Sequence, residues 1–347
     1  MQAPERLPWA DIARGIGIIL VVFGHVLRGA ALSDKRIPDP TFQILDHVVY
    51  SFHMPLFFLV SGWFTAQSLE RHGPRATAVG RINTLVWPYV VWTWLQGTVE
   101  VLLNRWTRYD TTWQTLATFL WRPHAQFWFL YILFWSALAL VAAWSVAGQR
   151  AVRWMWLVAF VLWLFHEQFA PWPVFQQFSV HSLWFGLGAY YAGSGWQPDR
   201  RQRYLLPVAS MVFCAAHAAA AVLKIDPVRP GVFGVATAAS GIAVVLGIAT
   251  RLPDKVARIF GSLGRASLGI YVMHILVGSG ARIILTKLAP TTPVSMGVLV
   301  ATVLAIAIPW AATLWLDKHA PWLFRIPKMK QRPPRNRVGP GDHDSSR

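Results

Sequence analysis

Apolar runs long enough to cross a bilayer recur along this chain of 347 residues, with little polar sequence between them. A helix needs about twenty such residues to span the hydrocarbon core, where each backbone polar group must be satisfied inside the segment. Ten stretches qualify, at roughly 11–31, 44–66, 83–103, 125–146, 153–170, 180–195, 204–223, 231–250, 264–286 and 294–316. The expected fold is therefore all-α: a polytopic membrane bundle of about ten transmembrane helices, forming one domain over 1–317. Residues 318–347 read as a basic, proline-bearing cytoplasmic tail without fixed structure. No internal repeat is evident.

Composition supports this reading and excludes others. Charged residues make up 14% of the chain and hydrophobic ones 55%, whereas a soluble domain carries roughly 25% charge. That argues against both a soluble enzyme and a disordered chain. Twenty tryptophans suit aromatic belts at two membrane interfaces. One cysteine, Cys214, cannot form an intrachain disulfide or a cysteine-based zinc site.

The chain is strongly basic, with 32 Lys and Arg against 15 Asp and Glu. If the N-terminus is inside, 21 of the basic residues fall on inner segments and 10 on outer ones. This asymmetry predicts that both termini are cytoplasmic and accounts for the charge without nucleic acid. The first span is expected to stay attached: Asp11 and Arg14 sit at its entry, and no small-residue cleavage site follows cleanly.

Ionisable groups at membrane depth are costly and mark candidate functional sites. In the first span, Arg14 and His25 are eleven residues apart and fall within about 20° of one helix face, about 16 Å apart along the axis. Asp11 and Arg28 lie near the same line, and Asp11 can neutralise Arg14 at i,i+3. Gly15, Gly17 and Gly24 would admit a neighbouring helix or a thin ligand. The second span carries His53 just before Pro55, and a proline there frees a carbonyl and kinks a helix. Antiparallel packing of the first two spans would bring His25 and His53 to similar depth, where two imidazoles suit proton transfer near neutral pH. Ser61-Gly62 reads as a close-packing step. His274 is a third imidazole of uncertain depth. His124, His166, His181 and His217 read as interface or packing residues, and Glu100 as solvated. No metal-ligand run, phosphate-binding loop, dinucleotide fingerprint or nucleophile elbow occurs.

Three motifs carry a family resemblance. The first is Asp11-Ile-Ala-Arg14 followed after ten residues by His25. The second is Ser51-Phe-His53-Met-Pro55, continuing to Ser61-Gly62. The third is Arg81 with Trp87-Pro88-Tyr89. Phe127-Trp128-Phe129-Leu130 and Ser267-Leu-Gly-Ile-Tyr271-Val-Met-His274 are weaker echoes. Over most of its length the chain resembles the membrane-bound acyltransferase family 3, the O-acyltransferases of bacterial cell-surface sugars. Because the chain ends soon after its tenth span, it is most similar to the stand-alone, fucose acetylase-like or glucan-succinylating form.

The resemblance implies transfer of an acyl group, acetyl or succinyl, from acyl-CoA to a hydroxyl of a glycan or glycolipid. The site would be a bacterial cytoplasmic (inner) membrane protein without a permanently bound cofactor or metal. His25 would act as general base or transient acyl carrier, with His53 and Asp11 as catalytic partners. Arg14 and Arg81 would hold the CoA phosphates, since the guanidinium fork suits phosphate oxygens. His274, Trp128 and Ser61 would contact substrate. A proton-coupled secondary transporter or glycolipid flippase is the rival class, because it too needs an intramembrane Arg/His line.

Overall fold

A computed structural model describes residues 7–33, 39–103, 111–199, 202 and 204–327. Among the described residues every regular element is helical. The first four α-helices are α1 (Pro8–Ser33), α2 (Asp39–Tyr50), α3 (His53–Arg81) and α4 (Trp87–Leu102). The short α5 (Trp113–Ala117) precedes α6 (Trp128–Ala147), α7 (Arg150–Leu164) and α8 (Pro173–Gly193). The chain continues through α9 (Leu205–Val222), α10 (Val232–Ala249), α11 (Asp254–Arg265), α12 (Ser267–Leu288) and α13 (Val294–His319).

Seven helical stretches among the described residues are long and apolar enough to cross a membrane. They contain eight of the ten expected spans, because Pro40–Leu102 holds two. That stretch folds back on itself. Gly73 has φ 77° and ψ 174°, outside helical conformations, and Pro74 restarts the helix. Ser68 and Thr77, nine residues apart, join hydroxyls across the turn at 2.9 Å. The other two expected spans fall short for separate reasons. Helix α7 has 15 residues and reaches only about 22 Å. Helix α8 is long enough, but Gln176, Gln177, Ser179, His181 and Ser182 make its first half polar.

The core is centred on α3, where Leu56, Phe58, Trp63 and Leu69 are fully buried. Helix α8 lies directly against it. A Cβ on Gly62 would come 1.9 Å from the Phe185 carbonyl oxygen, and one on Gly188 would come equally close to that of Leu59. The expected Ser61-Gly62 packing step is thus a backbone-to-backbone contact. A similar contact joins α1 to α11, with Gly15 against the Phe260 carbonyl and Gly264 against that of Asp11. Helix α11 separates strongly into polar and apolar faces and is too short to span, so a search for long apolar runs misses it.

Two local breaks shape the interior. The second expected span divides at Ser51–Phe52, between α2 and α3. Pro55 therefore sits in the first turn of α3, where its missing N–H costs little, rather than kinking a helix interior. After Arg81 the chain makes a π-turn over Ile82–Val86. Pro88 cannot donate to the Thr84 carbonyl, and the helix widens at this point.

The stretch expected as a loose tail begins as ordered structure. Helix α13 runs to His319, and the following turn packs on α4. Trp87 Nε1 donates to the Trp322 carbonyl at 2.6 Å and Trp92 Nε1 to that of Leu323 at 2.9 Å, while Phe324 stacks on Trp92. The remainder, from 328, lies outside the described residues.

Candidate active site

Two cavities meet inside the bundle. One, of about 470 Å³, is lined by His25 and Arg28 of α1, Tyr50 of α2, His53 of α3, and His181 and Trp184 of α8. The other, of about 360 Å³, is lined by Arg14, Ser61, Phe64, Arg81 and Thr84. Val21, Met54 and Tyr271 border both, so these three side chains, the throat, stand between the two cavities.

Helix α1 supplies the wall common to the two. Arg14, Ile18, Val21, His25 and Arg28 follow one another at spacings of three and four, which puts them on one helix face. The glycines flank this face and do not form its floor. Gly15 packs on α11, while Gly17 and Gly24 lie under the rings of Phe57 and Tyr50. They set how closely the helices approach, and apolar Ile18 and Val21 line the passage.

At the wider end, His25 and His53 border one cavity as expected, without touching. The Tyr50 ring lies between them, its centroid 6.2 Å from that of His25 and 4.8 Å from that of His53. His53 Nδ1 is 2.6 Å from the Val49 carbonyl. A carbonyl only accepts, so Nδ1 carries the proton and Nε2 of the neutral ring is an acceptor. His25 has no hydrogen-bond partner among the described residues, and its ring is only partly buried. Arg28 grips Asp46 through two bonds, Nε to Oδ1 at 2.6 Å and Nη2 to Oδ2 at 2.8 Å, and lies 3.2 Å over the Tyr50 ring.

His181, read from the sequence as a packing residue, belongs to this cavity. Its ring is 5.1 Å from that of Trp128, which also lines the wall. The signal lay in the spacing: Gln177, His181 and Trp184 share one face of α8. Asp46 had no comparable signal, because its partner is eighteen residues away on another helix.

At the narrower end, Arg14 and Arg81 border the second cavity. Arg14 is paired with Asp11, yet its Nε is buried without a partner. Arg81 has neither a hydrogen bond nor an ion pair among the described residues. Asp11 itself borders neither cavity. It bonds Arg14 and lies 3.9 Å from Arg265, about 21 Å along the helix from His25. Asp11 thus lies against Arg14 and away from both cavities. Ser61 borders this cavity as well.

His274 departs from expectation too. It borders neither large cavity, is 1% exposed, and stands behind His25 with its ring 5.1 Å away. Glu100, expected to be solvated, is buried within a polar network. His124 Nε2 donates to it at 2.7 Å, Gln96 Nε2 at 2.8 Å and Thr111 Oγ1 at 3.1 Å. Gln96 and Gln126 exchange amide bonds, and Tyr271 donates its hydroxyl to the Gln126 carbonyl. The network thus ends at the throat. Among the described residues no three His, Cys, Asp or Glu side chains gather as a metal-binding group.

One half of the interior can therefore hold an anion at two guanidinium groups. The other offers imidazole bases and aromatic walls. A family model described as an acyltransferase domain matches residues 7–314. The chain belongs to the membrane-bound acyltransferase family 3. As a member of that family it carries an acyltransferase domain and is a multi-pass membrane protein. Two curated relatives are both described as nodulation protein NolL. The one from Sinorhizobium fredii is 32% identical over 93 residues, which is 26% of this chain and 24% of that protein. The one from Mesorhizobium japonicum is 32% identical over 92 residues, with the same shares. The match thus spans about a quarter of the relatives' length. No solved structure matches the chain.

Proposed function

We propose that this acyltransferase moves an acetyl or succinyl group from acyl-CoA to a hydroxyl of a cell-surface or exported glycan, in a bacterial cytoplasmic membrane. The observation that carries this reading is the pair of neighbouring cavities that share Val21, Met54 and Tyr271 as lining. A charged donor and a sugar acceptor need chemically different pockets that share one point of contact.

The donor enters at the Arg14 end, where Arg14 and Arg81 meet its phosphates. Arg14 Nε, buried without a partner, suits an anionic oxygen. The pantetheine arm passes Ile18 and Val21 and presents the thioester carbonyl at the throat. The acceptor occupies the cavity walled by Trp128, Trp163 and Trp184, with Gln126 and Gln176 available for sugar hydroxyls. Aromatic walls with a few placed polar groups are the usual make-up of a small-ligand site.

His25 removes the acceptor hydroxyl proton as the oxygen attacks the thioester carbonyl carbon. The new C–O bond forms, the C–S bond breaks, and the leaving thiolate takes the proton back from His25. The products are an ester and free CoA. His53, with Nε2 as acceptor, orients the hydroxyl.

The experiment is acceptor-dependent CoA release by purified protein given acetyl-CoA or succinyl-CoA and a cell-envelope glycan extract. Release with a new glycan ester supports the reading. Passage of solute across a vesicle membrane with no ester formed would favour a transporter.

A further inference from the structure

His274 is used by none of the steps above, yet it is buried within reach of His25. Its Nδ1 is 2.6 Å from the Tyr271 carbonyl, so that nitrogen carries the proton. Nε2 is then an acceptor, and it is buried with no partner. An acceptor left this way costs about 1–3 kcal/mol, and a missing partner calls for a physical reason.

The reason lies in a crevice of about 30 Å³ bordered by His25, His274, Gly29, Ser279 and Arg282. A water needs roughly 10–15 Å³ and two to four polar partners. The crevice has the volume for one water. His25 borders it on one side and the large cavity on the other. The same imidazole therefore faces the acceptor pocket and the crevice.

We propose that His274 fixes the tautomer of His25 through one water bound in this crevice. The proposal rests on the reading of His25 as the general base. In this chain of bonds each group has one assigned role. The Tyr271 carbonyl accepts from His274 Nδ1–H, and His274 Nε2 accepts from the water. The water oxygen accepts from the N–H of His25 that faces the crevice. The other nitrogen of His25 is then left unprotonated toward the large cavity, as a base must be. His274 is thus a positioning residue. It does for His25 what a carboxylate does in a serine hydrolase triad, with a water in between and no added charge.

The test uses full-length protein in detergent, labelled with ¹⁵N-histidine, as wild type, His274→Phe and His274→Gln, with His25→Ala to assign the resonance. Wild-type His25 should show one neutral tautomer. His274→Phe, which has no acceptor, should mix the two tautomers and lower kcat by roughly tenfold or more, with KM for acetyl-CoA unchanged. His274→Gln, which keeps an acceptor oxygen, should restore most of both. A mixed tautomer in wild type overturns the proposal even if no variant folds. So does His274→Phe with a wild-type tautomer and kcat. If the wild type transfers no acyl group while His274→Phe still loosens the His25 tautomer, the relay stands and the acyl-transfer reading falls.

Discussion

Arg14 and His25 occupy one face of α1, about three turns apart, and border two different cavities that meet at Val21 between them. In the proposed mechanism the separation gives each residue its own task. Arg14 is too far from His25 to touch the acceptor, and His25 too far from Arg14 to touch a phosphate. Only an extended molecule along Ile18 and Val21 connects them.

Enlarging the residue at the throat should uncouple donor binding from transfer. Val21→Phe adds a ring between the cavities while leaving Arg14 and Arg81 in place. Acetyl-CoA should bind within about twofold of wild type, and ester formation should fall roughly tenfold or more, as expected when reacting atoms are misplaced. Titration calorimetry and product assay on the same preparation check this. An unaltered transfer rate would mean that the throat is not the reaction path.

Gly62→Ala should loosen the contact between α3 and α8. The added Cβ would lie 1.9 Å from the Phe185 carbonyl oxygen, which is backbone and cannot rotate aside. The helices must part, at a cost of about 1–3 kcal/mol by the usual scale of overpacking. His53 and His181 stand on these two helices, so transfer should drop together with thermal stability. A scan of unfolding temperature beside activity tests the pairing, and a variant as stable as wild type would contradict the packing.

Glu100→Ala should be among the more destabilising single changes outside the cavities. It removes the acceptor for His124, Gln96 and Thr111 together. Breaking one partner of a buried pair costs about 3–5 kcal/mol. Glu100→Gln keeps an acceptor oxygen and should cost less. Denaturation of the two variants in parallel gives the comparison, and equal stabilities would show that the carboxylate carries no special weight.

The membrane bundle and the shared helix face of Arg14 and His25 were legible in the sequence, because both rest on regularities within one helix. Arg14 and His25 are legible since eleven residues return to the same face. His181 was hidden because a histidine within a membrane helix looks like packing until the facing helices are known. Asp46 went unread, and Glu100 and His124 were misjudged, for a related reason: their partners come from distant segments. His274 was legible as an imidazole but not as one behind His25, since α1 and α12 meet only in the folded protein. Spans that line a cavity, such as α8, lose apolarity for functional reasons and so blur the count.

The central claim is that Arg14 holds the donor and His25 activates the acceptor. Acetyl-CoA binding and acceptor-dependent CoA release, measured together on wild type, Arg14→Ala and His25→Ala, test it most directly. The mechanism predicts weakened binding for Arg14→Ala. For His25→Ala it predicts near-normal binding, with release reduced by roughly a hundredfold or more. His25→Ala with wild-type release, or Arg14→Ala with wild-type affinity across acetyl-CoA and succinyl-CoA, would contradict it.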